Sequence, residues 1–198
     1  KISTLRRRLV SISMVHKLKG YYIDTKHPII IENLMGIRRV KGSIQKGKKP
    51  LLINHLKSII NVINEQKIED VKKFRDKSLI LVGFGGGFRR TELISIDHED
   101  LEFVPEGLKI TIKRSKTDQF GEGMIKGLPY FTNETYCPII NLKKWLEISR
   151  IKSGPIFRKF SKGLSLTDKR LTDQSVVLLM KEYLNLAGIE NKNFAGHS

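Results

Sequence analysis

One cysteine in 198 residues, Cys137, leaves no partner for an internal disulfide and no companion at metal-ligand spacing, so the sequence offers neither a disulfide scaffold nor a cysteine zinc site. The five histidines (His16, His27, His55, His98 and His197) are scattered and lack ligand spacing with acids, which argues against a metal. No apolar run approaches the roughly 18 residues of a membrane span. The start carries no secretory signal, and no repeat or low-complexity tract appears. A soluble protein of a reducing cytoplasm is expected, without membrane association. Acid is scarce as well: 20 Asp and Glu stand against 37 Lys and Arg, a net charge of +17 that is an electrostatic footprint for a polyanion. On charge alone, DNA, ribosomal RNA and acidic membranes all remain candidates.

Residues 1 to 20 read as an amphipathic helix, with Ile2, Leu5, Leu9, Ile12 and Leu18 near the helical period, Ser3 or Thr4 as cap and Gly20 as its end. After a turn at Asp24 to Pro28, IIIENLMGIRR carries a second helix-like stretch. Arg38, Arg39, Lys41, Lys46, Lys48 and Lys49 then fall in a segment with no acid, which reads as an exposed linker. Leu52, Leu56, Ile59, Ile60 and Ile63 line one face of the next helix, and Asp70 is placed to cap the one after it.

Between Leu101 and Lys126 the period changes to two. LEFV, a PEG turn, LKITIKR and MIKGL are strand signals, with Leu108, Ile110 and Ile112 alternating against Lys109, Thr111 and Lys113. Pro138 opens a helix that turns Ile139, Leu142, Trp145 and Leu146 inward, and Trp145 reads as a core anchor. A loop at Gly154-Pro155 and the basic stretch IFRKFSKG follow. The last helix is capped by Thr172 or Asp173 and stopped by Gly188.

The organising stretch is FRDKSLILVGFGGGFRRTELISIDHED, Phe74 to Asp100, in which an apolar run gives way to Gly83, Gly85, Gly86 and Gly87 and then to Arg89 and Arg90. Each glycine in an exposed helix interior costs roughly 1 kcal/mol against alanine. The cluster therefore marks either a close helix crossing or a reversal that only glycine permits. GFGGGF lacks the third glycine of a dinucleotide loop, and no Gly-Lys-Ser/Thr follows it.

Gly87-Phe88-Arg89-Arg90-Thr91-Glu92-Leu93, followed by Ile96 and Asp97, resembles the first arginine box of the tyrosine recombinase (phage integrase) family. Aligned on Glu92 and Leu93, the catalytic arginine of that family falls on Arg89. Arg114-Ser115-Lys116-Thr117-Asp118 is similar to the family's lysine turn between the second and third strands, and Gly196-His197-Ser198 to the opening of its His-x-x-Arg box. The three motifs occur in order over about 110 residues, which is far more specific than any one of them.

The resemblance implies an α+β, mostly α-helical fold: a catalytic domain with a small three-stranded antiparallel sheet, preceded by the end of a helical core-binding domain. Residues 1–40 would be the end of that core-binding domain, 41–50 a basic linker, and 51–198 a catalytic domain lacking its C-terminal part. The chain is accordingly expected to be a fragment, because the second arginine and the nucleophilic tyrosine of the family both follow the position of His197. All five tyrosines precede it.

The family's chemistry implies roles for these residues. Arg89 would hold the phosphate, Lys116 would protonate the departing 5′ oxygen, His197 would share hydrogen bonding or proton transfer, and Glu92 would orient a cation. A salt bridge within the helix is an equally ordinary use for Glu92. Arg6, Arg7, Arg38, Arg39, Lys48, Lys49, Arg90 and Arg114 are the candidate contacts to double-stranded DNA. The resemblance further implies no cofactor, a tetramer on DNA in the full-length protein, and a nucleoid-associated location. A non-catalytic DNA-binding module and a basic structural protein of chromosome or ribosome are the alternatives. Arg89 is expected to be better buried than Arg90, since a catalytic arginine has to be held in place.

Overall fold

The computed structural model describes residues 1–42, 47, 50–113 and 123–190. The chain divides into two compact units, Lys1–Gly47 and Lys48–Ser198.

The first unit is a helical pair, α1 (Ile2–Leu18) and α2 (Pro28–Lys41). Pro28 starts α2 at a position where its missing N–H is not needed, and the His27 ring accepts from the Ile29 amide beside it. Gly20 ends α1 with φ 82°, where a side chain would be strained. The predicted caps Ser3 and Thr4 lie inside α1, whose N-cap is Lys1 without a side-chain hydrogen bond. Neither helix buries a residue fully. Two helices can cover only part of each other's apolar stripe, so Ile12, Met14 and Leu18 remain exposed.

The second unit is mixed. Helices α3 (Ile53–Glu65), α4 (Asp70–Gly85) and the short α5 (Arg90–Ser95) lead into the sheet β1 (Leu101–Val104), β2 (Gly107–Ile112) and β3 (Met124–Pro129). The sheet is antiparallel in the order β1-β2-β3, with Val104 opposite Gly107 in the first pairing and Ile112 opposite Met124 in the second. Then come α6 (Pro138–Ser149), a two-stranded ribbon β4 (Arg158–Phe160) and β5 (Leu166–Arg170), and α7 (Asp173–Leu186).

In this unit the apolar periodicities are realised except at Leu52, which precedes α3 as its N-cap and is exposed. Leu56, Ile59, Ile60 and Ile63 are the buried face of α3. Leu108, Ile110 and Ile112 point into the core from β2, while Lys109 and Thr111 face out. Pro138 is the first residue of α6, and Trp145 is fully buried with its indole N–H donating to the Ile156 carbonyl at 2.8 Å. Thr172 caps α7 through the Ser175 amide, and Gly188 follows the helix at φ 69°. Asp70 is not the cap of α4: Glu69 takes that position, and Asp70 lies in the first turn, where its charge suits the helix dipole. The β4–β5 ribbon is an element that the basic composition of its segment did not announce.

Helix α4 is central to this unit. It packs chiefly against α6 and also against α3 and α5, and every residue from Arg75 to Val82 is buried. Two of these are a charged pair. Arg75 donates through Nε to Asp76 Oδ1 at 2.7 Å, and Tyr183 of α7 donates to Asp76 Oδ2 at 2.8 Å. Lys72 approaches the same carboxylate at 3.3 Å, and the Arg75 guanidinium lies 4.6 Å from the centre of the Phe160 ring. One carboxylate thus joins α4 to α7, with β4 on the far side of its arginine.

Candidate active site

The glycine cluster is a helix ending and not a nucleotide loop. Helix α4 stops at Gly85, and Gly87 reverses the chain with φ 54°. The Gly87 amide donates to the Phe84 carbonyl and the Phe88 amide to the Gly83 carbonyl, so the turn satisfies the helix end. A methyl group on Gly86 would lie 2.2 Å from the Phe88 ring, so that position needs glycine for space as Gly87 needs it for conformation. Phe88 is buried and Arg89 follows it as the N-cap of α5.

Glu92, only 3% exposed, receives Arg89 twice. Its Oε2 accepts from the Arg89 backbone N–H at 3.0 Å, and its Oε1 accepts from Arg89 Nη1 at 2.7 Å. The arginine is therefore anchored at both its backbone and its guanidinium by a residue one helical turn later. The expected order of burial is reversed: the Arg89 side chain is 41% exposed and that of Arg90 is 24%. Arg89 is held by the buried Glu92 carboxylate and not by being covered. Arg90 instead starts α5 and leans toward Asp173 at the beginning of α7, at 3.9 Å, and its Nε is buried without an acceptor among the described residues.

Sequence reasoning missed a second cation here. Lys126 of β3 donates to the Gly86 and Gly87 carbonyls at 3.1 and 3.2 Å, lies 4.5 Å from the centre of the Phe88 ring and comes within 3.7 Å of Glu92 Oε2. A single lysine in a strand carries no signal of its own. Its meaning comes from a fold that brings β3 against the end of α4.

Beside this turn a second charged cluster ties the start of the sheet to the ribbon. Asp97 accepts from Arg170 and from Lys113, and Lys113 also meets Asp100 at 2.9 Å. Arg170 also donates to the Ile94 carbonyl at the end of α5. Burial works against ionisation of Asp97, but the hydrogen bonds and charges of Arg170 and Lys113 outweigh it and hold its carboxyl below the ordinary range. Lys113 is raised, chiefly by Asp100. Because the folded state depresses the Asp97 pKa, the stability it contributes is present above the unfolded value near 3.9 and is lost as pH falls through the lower folded value. Asp97→Asn is thus expected to destabilise the protein by about 1–2 kcal/mol at pH 7. Urea melts should converge with wild type once the acid titration of Asp97 is complete.

Of the other predicted residues, Arg6, Arg7, Arg38 and Arg39 are exposed on α1 and α2 of the first unit. Lys48, Lys49, Arg114, Lys116 and His197 lie outside the described residues. The basic stretch after Gly154 is in part structural: Arg158 is spent on Asp168 and on the Pro155 and Ser153 carbonyls. Three tyrosines of the second unit are similarly engaged. Tyr183 is buried, and burial together with Asp76 pushes its hydroxyl well above its ordinary range. Tyr136 donates to Asn61, and Tyr130 accepts from Lys143. Among the described residues no group of three or more His, Cys, Asp or Glu stands together to hold a metal, and no helix is long and apolar enough to cross a membrane.

No protein-family profile matches the chain. It is 40% identical over 201 residues to an integrase/recombinase XerD homolog of Selenomonas ruminantium, a match that takes in 100% of this chain and 58% of that protein. The fold is shared with XerH site-specific recombinase bound to difH substrate before cleavage (TM-score 0.57, 17% identity, 96% of this chain and 56% of that one). It is shared also with XerA recombinase (TM-score 0.54, 14% identity, 96% and 63%). The fold class is that of the tyrosine recombinases: mostly helical, with a small antiparallel sheet. Along its whole length the chain is thus similar to an integrase/recombinase. It spans somewhat more than half the length of the curated relative it matches.

Proposed function

We propose that this chain carries the phosphate-binding half of a site-specific DNA recombinase, which cuts and rejoins duplex DNA through a 3′-phosphotyrosine link. The observation that carries the proposal is the Arg89–Glu92 pair: an arginine side chain 41% exposed, yet fixed by one hydrogen bond from its guanidinium and one from its own backbone N–H to a carboxylate that is itself almost fully buried. That is the arrangement required of a donor aimed at charge that develops only in the transition state. In the reaction a tyrosine oxygen attacks phosphorus, the bond to the 5′ oxygen breaks, and the departing oxygen takes a proton. Planar guanidinium donors suit the crowded, negatively charged phosphorus oxygens.

On this reading Arg89 holds the phosphate, Lys116 gives the proton to the 5′ oxygen, and His197 shares hydrogen bonding at the phosphate or at the tyrosine. The tyrosine itself follows His197 in the reading frame. Residues 1–40 are the end of a core-binding domain, 41–50 its basic tether and 51–198 the catalytic domain. Arg6, Arg7, Arg38, Arg39, Lys48, Lys49 and Arg114 approach the DNA backbone, and the extended protein works as a tetramer. Similarity to XerH, whose structures contain its difH substrate, supports duplex DNA as the partner.

The test is covalent capture on a nicked suicide duplex. The 198-residue chain is expected to bind duplex DNA with an affinity that falls steeply with salt, by about 0.9 log unit per log unit of salt for each phosphate neutralised, and to form no covalent adduct. The same chain extended through the rest of its reading frame is expected to form one without added nucleotide. Salt-steep binding by the extended protein without an adduct would favour a non-catalytic DNA-binding module. Affinity indifferent to salt would remove DNA as the target of the +17 charge.

A further inference from the structure

From the contacts of Lys126 we infer that this residue is a positioning residue for the arginine site, acting through the glycine turn and Glu92. The inference rests on the recombinase reading for its consequence in catalysis, but not for its structural content. The ends of helices leave carbonyls without partners, and at the end of α4 the carbonyls of Gly86 and Gly87 point toward the sheet. One ammonium from β3 answers both, at 3.1 and 3.2 Å. The position also suits the negative end of the helix dipole.

The same ammonium faces Phe88 at 4.5 Å from the ring centre, an attractive contact for a cation, and Phe88 is the residue directly before Arg89. Its fourth neighbour is Glu92 Oε2 at 3.7 Å, the oxygen that accepts the Arg89 backbone N–H. Lys126 therefore touches the residues on both sides of Arg89: the turn that delivers it and the carboxylate that fixes it. The side chain is only 19% exposed, so these contacts are made largely away from water, where they are stronger than on an open surface.

The placement has a chemical consequence. A carboxylate 3% exposed that faced Arg89 alone would draw the guanidinium toward itself and away from a substrate phosphate. A second cation at Glu92 shares that negative charge and leaves more of the Arg89 guanidinium available to a phosphate. Lys126 also lies in β3, the strand that closes the hairpin after β2. The carbonyls it binds belong to the turn that follows α4, so it fixes the sheet to the arginine turn.

Two measurements test the proposal. In the 198-residue chain, Lys126→Met is expected to speed amide hydrogen exchange at Gly87, Phe88 and Arg89 by tenfold or more, with amides in α3 and α6 unchanged and Lys126→Arg close to wild type. Unchanged exchange at these three amides, or a uniform rise across all helices, would overturn the local role. In the extended protein, Lys126→Met is expected to slow single-turnover cleavage of a suicide duplex by tenfold to a hundredfold with DNA affinity within about threefold, and Lys126→Arg is expected to restore most of the rate. Combined with Glu92→Gln, the loss should be much less than the product of the two single losses, because both act on Arg89 through one contact. Multiplicative losses, or equal losses of rate and affinity, would reject the route through Glu92. If the unaltered extended protein forms no adduct, the recombinase reading fails, while the exchange measurement still decides whether Lys126 holds the turn.

Discussion

Arg89→Ala in the extended protein is expected to lower the rate of DNA cleavage by about 10²-fold or more, the scale for losing one preorganised donor to a developing oxyanion, while duplex affinity changes little. The reason lies in when the guanidinium is needed. On the proposed reading, intact duplex DNA would be met by many lysines and arginines of a chain with net charge +17, so one lost contact would weaken binding only slightly. The extra charge that would appear as a tyrosine attacks would, on the same reading, be met only by groups already aimed at phosphorus, and the hydrogen bond to Glu92 would hold Arg89 as one of them. Arg90→Ala is the neighbouring control: its side chain turns toward Asp173, so the cleavage rate is expected to fall far less. Rate constants from single-turnover cleavage beside dissociation constants from titration separate the two effects. Equal losses of rate and affinity for Arg89→Ala would make it a binding residue.

The largest effect on stability is expected at Asp76. Asp76→Ala removes the only carboxylate that Arg75 is seen to bind among the described residues, and the Arg75 side chain is 7% exposed. An uncompensated buried cation is expected to cost about 3–5 kcal/mol. Tyr183→Phe leaves the ion pair and removes one hydrogen bond to a charged acceptor, so about 1.5–3 kcal/mol is expected. Guanidinium chloride unfolding of the three proteins gives both differences. A cost below 1 kcal/mol for Asp76→Ala would mean that Arg75 finds water or another acceptor when its partner is removed.

What could be read from the sequence follows the range of the interactions. The alternation at Leu108, Ile110 and Ile112, the helix start at Pro138, the cap at Thr172 and the stop at Gly188 are local signals, and each has its predicted place. The pairing of Arg89 with Glu92 is local too, three residues apart on one helix. The reach of Lys126 to Gly86 and the bond from Tyr183 to Asp76 span 40 and 107 positions, and neither residue type in its own segment hints at its partner. The β4–β5 ribbon escaped notice because its strands are short and basic, and their half-buried residues do not form a clean alternating stripe. The relative burial of Arg89 and Arg90 departs from expectation for a different reason: a side chain can be held in place without being covered, and here the buried partner Glu92 does the holding.

The unbroken burial of α4 from Arg75 to Val82 bears on which sequence changes this protein can accept. A helix with a solvent face can absorb a shift in register by turning that face. This one has no such face along two turns. Removing or adding one residue there would rotate everything downstream by about 100° and move it about 1.5 Å along the axis, taking Asp76 from Tyr183 or swinging Arg89 away from its site. Segment length between Arg75 and Arg89 should therefore be invariant among working versions of this chain, even where the side chains between them differ.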